Sequence, residues 1–374
     1  MLNYFECYAF HLLCEDYQGC NMVAYYKCRL VCPIGCGTMK GDLLMKLRLL
    51  LANIVFFVIG AIPEHQISAA TNYVNDAGKY SYEDMQKDLK QLENEYAERM
   101  KVISLGHSTD GRNIYAVRIG NSKAKKQMIV NASIHGREYL NTYFLMEMVE
   151  KYMNEYSKKQ QRIGMSYEKL FDQVCLYVLP MINPDGVTIA QYGPTKINDK
   201  DLRDNVEKTL KGYSYKRWKG KANGVDLNRN FPYGWKKIKN RGVIGSSGIK
   251  EKPEAETKVL MKFINNLSNP VANIIYHSSG EVLYWDYNVL GKLRKTMKAI
   301  KKTVYSQTKY RPIPKSYLTD PGGGFGDWCV YKKKIASVAI ETGRVECPLP
   351  KSQYARLYKK NKYLVESITK LFYE

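Results

Sequence analysis

The chain has 374 residues and carries 58 Lys and Arg against 36 Asp and Glu, a formal net charge of +22. A hydrophobic content of 45% is ordinary for a globular protein and too high for a disordered one. The length allows a large buried core in one or two domains, and the composition excludes collagen, coiled coils and small disulfide scaffolds.

The charge is uneven. Residues 1–70 hold five basic residues (Lys27, Arg29, Lys40, Lys46, Arg48) and five acidic ones (Glu6, Glu15, Asp16, Asp42, Glu64), so the whole surplus lies beyond residue 70. A surplus of this size repels itself unless a polyanion is near. Nucleic acid, an anionic membrane and an anionic cell wall are the partners to weigh, against the plainer reading of Lys-rich solvated helices.

Six of the nine cysteines (Cys7, Cys14, Cys20, Cys28, Cys32, Cys36) fall in the first 36 residues. After them come Met45-Lys-Leu-Arg, an apolar run from Leu49 to Ile62 and the small residues Ser68-Ala-Ala70. A basic segment, a short apolar segment and a small-residue cleavage site make a secretory signal peptide over 45–70. A membrane-spanning helix needs about 20 apolar residues, so the run is short for one. Met45 is then the expected start, with 1–44 a spurious or non-structural Cys-rich extension. The rival reading of 1–44 is a small metal module on Cys28, Cys32 and Cys36, which lacks a second ligand pair with His. No other apolar run stands out, which excludes a polytopic membrane protein. Of the later cysteines, Cys175 sits in an apolar run and reads as a core thiol. A pairing of Cys329 with Cys347 stays open.

A linker over 71–80 leads to Ser81-Tyr-Glu-Asp84, which caps a helix reaching about Met100. Lys101 to Leu105 and Ile114 to Ile119 read as strands joined by the turn Thr109-Asp-Gly-Arg112. Gln127 to Ile134 is a strand, Tyr139 to Tyr156 a long helix and Val174 to Ile182 a strand. Glu254 to Leu267 is a helix, Asn273 to Tyr276 a short strand and Lys292 to Thr308 a basic helix. Ile335 to Ile340 is a strand, and one closing helix runs from Tyr354 to Phe372. Alternating strands and helices predict a single α/β domain with a mixed, largely parallel central sheet flanked by helices.

Polar residues follow directly on four of the buried strands: His135-Gly-Arg-Glu138, Asn183-Pro-Asp-Gly186, His277-Ser-Ser-Gly280 and Glu341-Thr-Gly343. Ligands of open α/β sheets bind at the carboxyl ends of strands, so these point to one site. Beyond residue 70 the histidines are His107, His135 and His277. A catalytic zinc takes three protein ligands, and two His with one Glu is a known set. His135 and Glu138 lie on one turn and can chelate together, with His277 closing the set. A single His-x-x-Glu is common by chance; the strand-end placement and the second His bring the metal reading level with the chance one, and spacing alone leaves both open.

Ser133-Ile-His-Gly-Arg-Glu138, Ile182-Asn-Pro-Asp-Gly186, Gly224-Val-Asp-Leu-Asn-Arg-Asn-Phe231, Tyr276-His-Ser278 and Ile340-Glu-Thr-Gly343 together resemble the zinc metallocarboxypeptidase family of the carboxypeptidase A type. The resemblance covers about residues 80–374, follows the family's order and spacing, and leans toward bacterial, clostridial-type members, some of which cut γ-D-glutamyl–diamino acid bonds of the cell wall. It implies a carboxypeptidase-like catalytic domain over 81–374 and one zinc ion held by His135, Glu138 and His277. It implies Glu341 as the general base acting on water, and Asn228 with Arg229 as the grip on a substrate's terminal carboxylate. An Arg fork suits that grip because it binds carboxylate bidentately. Asp327 with Trp328 matches an Asp-Trp pair of the family, and Tyr317 is the candidate for its mobile-loop Tyr. The oxyanion cation falls on Lys219 by strict offset or on Arg217 beside Trp218, and both stay open.

The implied function is a zinc metallocarboxypeptidase acting near a free C-terminal carboxylate, or alternatively a γ-D-glutamyl-diaminopimelate type peptidase acting on peptidoglycan stem peptides. The substrate pocket reads as small to medium and permissive. A wall-binding pseudo-enzyme would show a degenerate ligand or base, and none is degenerate. Nucleic-acid binding lacks any helix-turn-helix, zinc-finger array or aromatic-interleaved basic strand. The expectation is a secreted or envelope-associated monomer whose charge draws it to an anionic wall.

Overall fold

The computed structural model describes residues 72–75, 78–159, 161–239, 242–248, 253–314 and 321–373. The Cys-rich stretch 1–44 and the signal peptide expected over 45–70 lie outside the described residues. No helix among the described residues is long and apolar enough to cross a membrane.

Ser81 opens helix α1 (Tyr82–Glu95) through the expected capping box. Its hydroxyl accepts the Asp84 N–H at 3.0 Å, and the Asp84 carboxylate accepts the Ser81 N–H at 2.9 Å. The helix stops at Glu95, short of the expected Met100, because Met100 pairs with Ile119 and begins a strand. That strand, β1 (Met100–His107), forms the expected antiparallel hairpin with β2 (Asn113–Ile119).

The chain continues through β3 (Lys126–Ala132), α2 (Leu140–Asn154), α3 (Tyr167–Gln173), β4 (Val174–Leu179), α4 (Pro184–Tyr192) and α5 (Lys200–Leu210). It then forms α6 (Ala255–Asn265), β5 (Pro270–Ser278), β6 (Val282–Tyr284), α7 (Gly291–Thr308) and β7 (Arg311–Pro312). Strand β8 (Ala336–Thr342) and helices α8 (Tyr354–Asn361) and α9 (Leu364–Thr369) close it.

Helices α3, α4 and α5 and strands β6 and β7 are absent from the sequence reading. Helix α4 hides behind loop-like residues. Asn183 caps it by accepting the Gly186 N–H at 2.9 Å, and Pro184 occupies its first turn, where the missing N–H is harmless. The single closing helix expected over 354–372 is divided. The buried Asn361 amide takes the Leu357 carbonyl at 2.9 Å and the Tyr310 hydroxyl at 3.1 Å, competing with the helical ladder at the break.

The eight strands form one sheet in the order β1-β2-β4-β3-β5-β8-β6-β7. Strands β4, β3, β5 and β8 run parallel, whereas β1–β2, β2–β4 and β8–β6 pair antiparallel. The mixed sheet with a parallel centre is the expected one. Its central strands are mostly apolar because both faces are covered, and the buried Asn131 and Asn273 among them bond to each other at 2.7 Å. Along β3, Met128 and Val130 join a core with Phe144 of α2, while Ile129 joins a second core with Leu260 and Trp328. Parallel pairing brings the carboxyl ends of β3, β5 and β8 side by side. Cys175, Cys329 and Cys347 are buried free thiols, so the pairing left open for Cys329 and Cys347 is not made.

Candidate active site

Leaving β3, the chain turns at Ser133, whose φ of +53° is unusual for a residue with a side chain. The Ser133 hydroxyl donates to the Glu138 carbonyl at 3.2 Å, closing the turn that presents His135 and Glu138. Gly136 is required inside this turn, since a Cβ there would lie 2.2 Å from the Gly186 carbonyl oxygen. Its N–H donates instead to the Lys219 carbonyl at 2.9 Å, tying the turn to the loop that follows α5.

His135, Glu138 and His277 meet as buried side chains whose ligand atoms lie within 4.8 Å of one another. Glu138 stands between the imidazoles, with Oε1 2.7 Å from His135 Nδ1 and Oε2 2.9 Å from His277 Nδ1. Burial opposes ionisation of Glu138, but the two imidazoles hold its carboxyl well below the usual range. For His277, burial works against protonation and is outweighed by Glu138, which raises its pKa. Two imidazole nitrogens and one carboxylate converging in a buried pocket are the donor set of a catalytic zinc centre, and this geometry fits the ion.

Glu341 comes from the neighbouring strand end, because β5 and β8 pair His277 with Glu341. Burial pushes the Glu341 carboxyl up to about 7, with His277 pulling the other way and Glu138 adding to the rise. These four residues line a cavity of about 610 Å³, together with Lys219, Asn228, Arg229 and Asp327.

Each of these side chains has a defined local role. Asn228 Oδ1 accepts the Phe325 N–H at 2.9 Å. Asp327 Oδ2 accepts the N–H groups of Gly322 at 2.9 Å and Gly324 at 3.1 Å, so the carboxylate shapes the glycine-rich loop. Gly326 leaves room at this wall, where a Cβ would come within 2.5 Å of the Tyr287 hydroxyl. Arg229 donates to the Asn228 carbonyl at 2.7 Å and lines the cavity.

The two cations left open by the sequence are separated by the fold. Lys219 lines the cavity and donates to Asp226 at 2.7 Å. Arg217 does not belong to the cavity lining. Its side chain is 50% exposed and pairs with Glu346 at 2.5 Å. The reason is local: Arg217 ends the exposed turn Tyr215–Arg217, and the chain then goes inward at the buried Trp218. Tyr317 lies outside the described residues.

Asp226 and Arg137 were not singled out from the sequence, although both stand inside the quoted motifs. Asp226 Oδ1 lies 3.2 Å from His135 Nε2, off the line of a good hydrogen bond, and accepts the Asn228 N–H at 2.9 Å. Despite burial, His135 and Lys219 hold the Asp226 carboxyl far below its ordinary range. Arg137 lines the cavity, and its buried Nε has no hydrogen-bond partner among the described residues. The available signal for Asp226 was its place two residues before Asn228.

A zinc carboxypeptidase family model matches residues 85–363. The chain is similar to the Bacillus subtilis protein YqgT, at 26% identity over 305 residues covering 78% of each chain. It is also similar to gamma-D-glutamyl-L-diamino acid endopeptidase 1 of Lysinibacillus sphaericus, at 26% identity over 294 residues, 76% of this chain and 71% of that one. Among solved structures, thrombin activatable fibrinolysis inhibitor shares the fold, with a TM-score of 0.62 at 20% identity over 82% of this chain and 79% of the other. The match over most of the chain and the buried His-Glu-His centre agree: the chain belongs to the zinc carboxypeptidase family.

Proposed function

We propose that the protein is a zinc-dependent peptidase that cleaves an amide bond close to a free carboxylate, with Glu341 as general base. The observation that carries this reading is the placement of Glu341 in the same cavity as His135, Glu138 and His277, on the strand paired with His277. Zinc held by the three ligands would supply Lewis acidity toward a scissile carbonyl and lower the pKa of water. Glu341 is placed to take a proton from water and pass it to the leaving amine, and a carboxyl with a pKa of about 7 suits both transfers near neutral pH. Arg229 binds the substrate carboxylate through its fork, beside Asn228. Lys219 faces the cavity as the cation that offsets negative charge developing on the carbonyl oxygen.

Similarity to gamma-D-glutamyl-L-diamino acid endopeptidase 1 supports a stem peptide of peptidoglycan as the substrate class. The charge supports a site of action beside an anionic envelope polymer. Helix α7 contains no Asp or Glu, and its exposed Lys295, Lys298 and Lys302 make no ion pair among the described residues.

The test is product analysis by mass spectrometry on C-terminal peptide libraries and purified stem peptides, for wild type and Glu341→Gln. Hydrolysis that is lost on chelation, returns with zinc and falls by about 10²–10⁴ in Glu341→Gln is expected. Near-full activity of Glu341→Gln would sink the mechanism.

A further inference from the structure

Three polar side chains at the wall and floor of the site are closed on one another. Asn141 Nδ2 donates to Ser278 Oγ at 3.0 Å. Ser278 Oγ lies 2.8 Å from Thr342 Oγ1, and Thr342 Oγ1 donates to Asn141 Oδ1 at 2.8 Å. With Ser278 donating to Thr342, each member gives one proton and accepts one, so the three bonds form a ring. Asn141 and Thr342 have no exposed surface and Ser278 is 8% exposed. Hydrogen bonds inside such a buried, fully satisfied ring reinforce one another, and an orphaned member is strongly unfavourable.

The placement of the ring gives it a purpose beyond stability. Ser278 directly follows His277, Thr342 directly follows Glu341, and Asn141 lies three residues after Glu138 at the start of α2. Successive residues of a strand point to opposite faces. His277 and Glu341 turn to the metal end of the cavity, while Ser278, at the cavity wall, and the buried Thr342 both bond to Asn141. The sheet already pairs His277 with Glu341 and Ser278 with Thr342. The ring adds the third element, the helix that begins two residues after Glu138. Thr342 Oγ1 also lies 3.1 Å from the His277 carbonyl, the alternative acceptor for the same hydroxyl proton. None of the three side chains is titratable, and none is a metal donor in the His135, Glu138 and His277 set.

We propose that Asn141, Ser278 and Thr342 are positioning residues that hold Glu138, His277 and Glu341 in one geometry. Asn141 is the member that fixes the metal ligands, and Thr342 the member that fixes the base relative to them. The first half stands apart from the proposed function, and the second rests on it. A misplacement of about 1 Å in such a site can lower a rate about 10²-fold.

The experiment compares Asn141→Leu, Thr342→Val and Thr342→Ser with wild type in two assays. The first is zinc affinity of the metal-stripped protein, by competition with a chromophoric chelator. Asn141→Leu is expected to bind zinc at least about tenfold more weakly, the range seen when ligand-orienting partners are removed. Thr342→Val and Thr342→Ser should bind zinc as wild type does. The second assay measures kcat and KM per zinc-loaded molecule. Thr342→Val should lose about tenfold or more in kcat at unchanged KM, and Thr342→Ser, which keeps the hydroxyl, should retain it. A ring that only stabilises the fold would lower Tm and leave both readouts in place. Wild-type zinc affinity in folded Asn141→Leu, or equal kcat in Thr342→Val and Thr342→Ser, overturns the proposal. If Asn141→Leu does not fold, Ser278→Ala breaks the same ring with a smaller change and is read against the same zinc criterion. A wild-type protein that hydrolyses neither peptide set sinks the peptidase reading, and the zinc assay then decides the positioning of the ligands.

Discussion

Lys219 Nζ and Asp226 Oδ2 lie 2.7 Å apart, so the cation that faces the cavity is held by a buried carboxylate. The second oxygen of Asp226 lies 3.2 Å from His135 Nε2. A carboxylate on that side favours the tautomer with its proton on Nε2 and leaves Nδ1 to act as a ligand. One carboxylate therefore stands beside both His135 and the cavity-facing Lys219. Asp226→Asn should weaken zinc binding by about 10–100-fold and lower activity with it, as measured by chelator competition and by kcat. An unchanged zinc affinity would show that His135 is oriented by its turn alone.

Arg229 makes no ion pair among the described residues, so its charge is available to a ligand. A hydrogen bond to a charged group contributes roughly 1.5–3 kcal/mol. Arg229→Gln should then lower kcat/KM by about 10–100-fold on peptides with a free terminal carboxylate. The same peptides with an amidated C-terminus should be cleaved equally by both proteins. Equal losses on the two substrate forms would remove Arg229 from carboxylate recognition.

Glu147 on α2 has a buried Oε2 with no hydrogen-bond partner among the described residues. Burial, reinforced by Glu150, pushes its carboxyl up to about 7 from an ordinary 4.5. A raised carboxyl pKa means the folded state holds the proton more tightly than the unfolded chain. Below about 4.5 both states are protonated and the group is neutral in effect. Between 4.5 and 7 the folded state progressively loses ground, and above 7 the full penalty is present. Glu147→Gln should raise Tm at pH 8 and leave it nearly unchanged at pH 4. A uniform shift at both values would mean the effect comes from packing.

The lysines of α7 give the proposed envelope association a location that can be tested. Replacing Lys295, Lys298 and Lys302 with Glu should sharply reduce retention on an anionic wall preparation at low ionic strength. Replacing the exposed Lys90, Lys123 and Lys125 in the same way should reduce it less, although the change in net charge is identical. Raising salt toward 1 M should release wild type as well, because screening shortens the reach of surface charge to about 3 Å. Equal effects of the two triple variants would make the attraction a property of net charge rather than of α7.

The capping box at Ser81, the β1–β2 hairpin and the strands feeding the site were legible because they rest on short-range patterns and continuous apolar runs. Helix α3 and strands β6 and β7 were not, because such short elements depend on what they pack or pair with, whereas α5 went unread although Asp199 caps it and Leu202, Val206 and Leu210 recur at helical spacing. β6 is held by Glu341 and its neighbours on β8, and β7 by β6. Nothing in three residues of Val-Leu-Tyr announces that partnership.

The sequence by itself determined the chemistry of the centre: two His and a Glu able to bind zinc, a separate Glu at a strand end, and an Asn-Arg pair fit for a carboxylate. His135 and Glu138 on one turn follow from residue types and local spacing, whereas the role of Glu341 and the carboxylate grip of Asn228 and Arg229 are what the family resemblance implied. Only the tertiary structure decided that Lys219 faces the cavity and Arg217 faces solvent, that Asp226 stands behind His135, and that Asn141 reaches Thr342 across 201 positions of chain. Each depends on which strands lie side by side and which surfaces lose water. Burial and long-range pairing are created together when the sheet closes, and a linear pattern holds no record of them.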